Sequence, residues 1–143
     1  MSTVVRSCVL YPIGVFGLLL GTAHFFFPVL FDFRRAIPPE GAPLKPFHLL
    51  GIHYATKRND VYGLAWVMNH CVSFVLVTIG VLDVCWPMWL PTSGGPLLSY
   101  WISGWWCLRG VCQLYLGRRQ GDWRILWAFV SLSVLQAGVT LLP

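Results

Sequence analysis

Three residues stand where side-chain chemistry is possible inside otherwise apolar runs: His24, His70 and Arg109. A neutral imidazole can ligate a metal or haem, and a guanidinium can hold an oxyanion through several N–H donors. Asn69 precedes His70, and Gln113 lies one helical turn beyond Arg109. Two imidazoles and a guanidinium brought together would suit a quinone, a haem or an anionic lipid. Trp66, Trp105 and Trp106 would then pack on the apolar part of the ligand. A metal site is not read from the sequence, because no carboxylate falls at the same level and Asp83 lies near the outer end of its run. No hydrolytic dyad is found either. Cys71 follows His70 directly, and adjacent helical side chains diverge by roughly 100°. The identity of any cofactor stays open.

These residues are useful only if something holds them at one level. The chain has 143 residues, 57% hydrophobic and 10% charged. A soluble domain carries about 25% charged residues, so this composition cannot clothe a water-facing surface. It predicts an integral membrane protein of one domain, with the lipid bilayer as its solvent. It excludes a disordered chain, a disulfide scaffold, a coiled coil and a soluble enzyme. The net charge of +5 comes from basic residues gathered mostly in two connections. Topology and anionic headgroups explain that pattern, and no nucleic-acid partner is expected.

Four runs are long enough to cross a bilayer as helices, at about residues 8–31, 61–85, 96–116 and 123–142. The predicted fold is therefore all-α: four transmembrane helices in an up-down antiparallel bundle. Asp60 and Asp122 are the expected N-caps of the second and fourth helices. Pro87, Pro91, Gly94, Gly95 and Pro96 mark the turn before the third, and a short turn at 117–121 makes the last two helices antiparallel neighbours. The Pro-rich connection 32–60 is read as a partly ordered cap, either a passive connector or a lid over the inner mouth of the bundle, carrying the surface histidines His48 and His53. The connection 32–60 and the 117–121 turn hold most of the Lys and Arg. By the positive-inside rule both face the cytoplasm, so both termini point outward, to the periplasm of a cell inner membrane. The cysteine count is odd. A Cys8–Cys85 disulfide near the outer face is one option, and lipid-facing thiols are the default.

Face and depth connect the helices to the chemistry. Gly14, Gly17, Gly21, His24 and Pro28 recur at helical spacing in the first run, and Gly63, Trp66, His70, Ser73, Val77 and Gly80 in the second. Small residues on such a face let a second helix approach closely. The third run offers Trp106, Arg109 and Gln113, and the fourth Ser133, Gln136 and Thr140. Counted from the inner interface, His24, His70 and Arg109 all fall at roughly 12–14 Å. Asn69 is at that level and Gln113 one turn nearer the cytoplasm. A charged Arg at a helix centre costs about 2.5–3.5 kcal/mol even on a lenient scale, so it normally faces a bundle interior. Two plainer readings compete. Arg109 can snorkel toward the headgroups, and the histidines can be neutral groups bonded across a helix interface.

The stretch His24-Phe25-Phe26-Phe27-Pro28-Val29-Leu30-Phe31 resembles the His-Phe-x-x-Pro-x-x-Phe stretch of DoxX-like small bacterial membrane proteins. The run Arg58-Asn59-Asp60-Val61-Tyr62-Gly63 with Val67-Met68-Asn69-His70 is similar to a segment of bacterial membrane proteins with no assigned activity. The resemblance covers mainly the first two helices. It implies a bacterial inner membrane and, through some members of that wider group, subunits of quinone-linked oxidoreductases. It carries over no catalytic residue. The expected function is a non-catalytic accessory or scaffold subunit that packs on other membrane proteins or on copies of itself. The alternative is a small-molecule or redox protein that uses the His/His/Arg layer.

Overall fold

The computed structural model describes residues 2–49, 51–115 and 120–142, with side chains described for all of these except 2, 47–49, 53 and 54. The described chain is mostly helical. In order it runs α1 (Ser2–Phe25), α2 (Phe27–Leu30), α3 (Phe33–Ala36), strands β1 (Phe47–Leu49) and β2 (Ile52–Tyr54), α4 (Arg58–Val84), α5 (Trp86–Trp89), α6 (Gly95–Val111), a 3-10 turn (Cys112–Tyr115) and α7 (Gln120–Thr140). Three of these helices, α1, α4 and α7, are long and apolar enough to cross a membrane. The helix expected at 96–116 is shorter: α6 stops at Val111 and tightens into the 3-10 turn. The turn expected at 117–121 lies partly outside the described residues.

Local chemistry explains where the helices stop. α1 ends at Phe25 because Pro28 has no N–H to give the carbonyl of His24, and its ring crowds the preceding turn. The chain then bends through Asp32, which takes a left-handed conformation at φ 45°. Its side chain accepts the Arg35 N–H, capping α3. Asp60 does not precede α4 as expected. It sits in the first turn, where its carboxylate reaches back to the Lys57 N–H at 2.9 Å, the back-reaching half of a capping box. Asp122 likewise lies within the first turn of α7, where a negative charge favours the positive end of the helix dipole.

The Pro-rich connection carries a short strand pair that the all-α expectation did not include. β1 and β2 form an antiparallel hairpin with His48 opposite His53, though the histidine side chains lie outside the described ones. The hairpin turns at Gly51, whose φ of 78° favours a residue without a Cβ. Arg58 ties the connection to α4 by donating to the Ala42 carbonyl at 3.0 Å.

The residues group into two compact units, Met1–Gly17 with Ile79–Pro143 as the first and Leu18–Thr78 as the second. In the first unit α6 and α7 are antiparallel. Their partners step up one helix as they step down the other: Gln113 with Asp122, Gly110 with Leu126, Trp106 with Phe129, Ser103 with Ser133, and Ser99 with Gln136. Leu10, Trp86, Leu90 and Val139 make a core there. Arg6 donates to the carbonyls of Val139 and Leu142, closing the C-terminal end of α7. Also in this unit, a Cβ on Gly14 would meet the Gly80 carbonyl and Val84 backbone at 2.9 Å. In the second unit, one on Gly21 would meet the Val77 backbone at 2.7 Å. These two glycines do what a small-residue face predicts. Gly17 is buried. Gly63 is exposed, and among the described residues a Cβ there would meet nothing within 4 Å.

Candidate functional site

His24, Asn69 and His70 belong to the second unit, and Arg109 and Gln113 to the first. Within the second unit, the group is built on the break in α1. The carbonyl that Pro28 leaves without a helical donor belongs to His24, and the Asn69 side-chain amide donates to it at 2.8 Å. Asn69 is 7% exposed. An unbonded carbonyl there would cost a large part of a hydrogen bond's desolvation, so Asn69 repairs the backbone. Ser73, one turn on, donates to the Asn69 carbonyl at 2.7 Å and stands 3.5 Å from Nδ1 of His24. The His24 ring rests on Phe27 with centroids 4.3 Å apart.

His70 is exposed and faces differently from Asn69, as consecutive helical residues must. Its Nδ1 lies 2.8 Å from the Trp66 carbonyl of its own helix. Its ring stacks on Trp66 at 5.6 Å and 17°, with Phe25 at 5.7 Å. A proton on Nδ1 for that bond leaves Nε2 as an outward acceptor. The indole N–H of Trp66 is buried and has no partner among the described residues.

In the first unit, Arg109 donates to Oε1 of Gln113 at 2.7 Å, and its guanidinium carbon lies 5.1 Å from the centroid of Phe129. Gln113 passes the contact on to Asp122 at 3.5 Å. Arg109 is thus half-buried against an aromatic face and a neutral amide. Trp106 is fully buried and stacks on Phe129 at 5.6 Å, so it is core between α6 and α7 and does not line a ligand surface. The five cysteines are free, Cys8 and Cys85 included.

No family model, no curated protein and no solved structure matches this chain. Its own geometry is therefore the ground for a functional reading. Among the described residues, no cluster of three His, Cys, Asp or Glu side chains could hold a metal ion.

One polar group was not read from the sequence as a site, although Gln136 and Thr140 share the face noted on the fourth run. Asp83, Ser99, Gln136 and Thr140 meet inside the first unit, from α4, α6 and α7. Asp83, Ser99 and Gln136 are 0% exposed. The Gln136 amide nitrogen donates to Oδ1 of Asp83 at 3.1 Å and to the Ser99 hydroxyl at 3.2 Å. The Thr140 hydroxyl donates toward Ser99 at 2.6 Å, with the Gln136 carbonyl at 2.9 Å. A signal for it existed: the Ser73–Val77–Gly80 series on α4 reaches Asp83 in one more step of three. Ser99 likewise begins the buried series Ser103, Trp106, Gly110 and Gln113 on α6.

Proposed function

We infer that the chain is a multi-pass protein of a bacterial inner membrane. On this reading it crosses the bilayer four times as an up-down antiparallel bundle, both termini outward, and serves as a non-catalytic accessory or scaffold subunit of a membrane complex. The placement of apolar surface carries the reading. In the most apolar windows of α1, α4 and α7, only 28%, 28% and 22% of residues are buried. Leu19, Phe74, Trp127 and Val134 are each more than 60% exposed. Hydrocarbon, or the helices of a partner, removes such surface from water. Asn69, Ser73, Ser103 and Gln113 meanwhile each donate a hydrogen bond inside their own unit, as helix association in lipid favours. α6 and its 3-10 turn would together span about 33 Å, enough for a hydrocarbon core of about 30 Å, which makes them the remaining crossing.

Native mass spectrometry from lipid nanodiscs tests the role. The scaffold reading expects a defined assembly with other membrane proteins or with further copies of the chain, and no stoichiometric small molecule. A lone chain carrying one bound quinone, haem or lipid overturns it. That second reading is favoured by one observation: the outward Nε2 of His70 and the unpartnered indole N–H of Trp66 stand on stacked rings. Such a ligand would be lost in His70→Ala.

A further inference from the structure

The group around Asp83 has too few donors. Oδ2 of Asp83 and Oε1 of Gln136 are both buried, and among the described residues neither has a hydrogen-bond partner. The other atom of each side chain is already engaged, Gln136 Nε2 donating to Asp83 Oδ1 at 3.1 Å. Two oxygens without donors beside one N–H···O bond match, in donors and acceptors, a cyclic acid–amide pair short of its acid hydrogen. One hydrogen on Oδ2, donated to Oε1, would complete both side chains at once. An ionised carboxylate would instead leave a fully buried charge without a cation, which is among the most costly arrangements in a protein interior.

Among the described residues, no positive charge is bonded to Asp83. α6 and α7 meet Asp83 with Ser99, Gln136 and Thr140, none of which carries charge. α5 brings Trp86 and Trp89, of which the Trp89 indole donates to the Leu82 carbonyl at 2.7 Å. On α1 the charged side chain in this unit is Arg6, and it is turned to the carbonyls of Val139 and Leu142. The titratable Cys8, Tyr11 and Cys85 are neutral in their protonated forms. Among the described residues, the ion pair found is Arg34 with Glu40, in the other unit.

We propose that Asp83 and Gln136 form an intramembrane proton-binding site, with the proton on Oδ2 of Asp83 and shared with Oε1 of Gln136. The site stands apart from the scaffold reading and holds whichever partner the chain assembles with. It lies in one unit, and its contacts come from three helices, so taking or losing the proton changes how α4 is held to α6 and α7.

Infrared spectroscopy of the full chain in nanodiscs, with aspartate carbon-13 labelling, tests this directly. The expected result at neutral pH is one labelled carbonyl stretch of a hydrogen-bonded carboxylic acid, absent from Asp83→Asn. Labelled carboxylate bands alone would overturn the proposal. A second measurement does not depend on the infrared assignment. Asn at position 83 can donate to Oε1 and accept from Nε2, so Asp83→Asn should unfold at a temperature as high as the parent chain and lose the parent's destabilisation at alkaline pH. The sign follows from linkage: if the folded form holds a proton that the unfolded form releases, stability falls as pH rises. Sodium in place of a proton would show as stabilisation by sodium over choline at fixed ionic strength, lost in Asp83→Asn. That result also overturns the proposal.

Discussion

The group around His24 and the group around Asp83 are both made of side chains from facing helices, and they close in opposite ways. In the second unit, Asn69 and Ser73 donate to main-chain carbonyls, and the Asn69 bond makes good a loss that Pro28 causes. In the first unit, Gln136 donates to a carboxylate and a hydroxyl, and two oxygens are left over. One arrangement satisfies the fold and has nothing to spare. The other satisfies the fold only if something is added. A polar residue in an apolar helix is therefore weak evidence of function until its partners are counted.

Substitutions can break or sharpen this contrast, read as unfolding in detergent or nanodiscs. Gln136→Leu should have the largest effect, about 3 kcal/mol of destabilisation, because it strips from a buried Asp83 the one donor found among the described residues. An effect under about 1 kcal/mol would mean that Asp83 reaches another partner. Gly21→Ala should follow at about 1–3 kcal/mol, since its methyl would enter the Val77 backbone. Gly63→Ala, made alongside, should be neutral or slightly stabilising. Asn69→Leu should cost about 0.6–1.7 kcal/mol, the range of interhelical hydrogen bonds in membranes. A larger loss would make the His24 region as demanding as the Asp83 region and erase the contrast. His70→Phe should fall within about 0.5 kcal/mol, because the ring is exposed and its stacking on Trp66 survives. If His70 instead carries a bound ligand, the stability of the ligand-loaded protein drops with it.

The sequence is legible where a single residue type decides the outcome. Long apolar runs announce the helices, and Gly14 and Gly21 announce close approach, because a missing Cβ has few other uses on an apolar face. Gly63 shares their spacing and does not share their role, since spacing fixes a face and not what lies opposite it. The hairpin at 47–54 was hidden by the prolines before it, and its signal is only Gly51 between two short apolar segments. The end of α6 in a 3-10 turn has no sequence marker. Asp83 was set aside as a residue near a helix end, a position where carboxylates usually meet water. Only the side chains of Ser99, Gln136 and Thr140 around it show that it does not.

Sidedness of the two termini decides most directly whether α6 and its 3-10 turn complete a fourth crossing. Tags on each end, probed by protease in intact cells whose outer membrane has been permeabilised, report whether the ends share a side. Four crossings with outward termini predict that both tags are cut before the inner membrane is broken. Cleavage of one tag alone would mean an odd number of crossings and would contradict the four-span bundle.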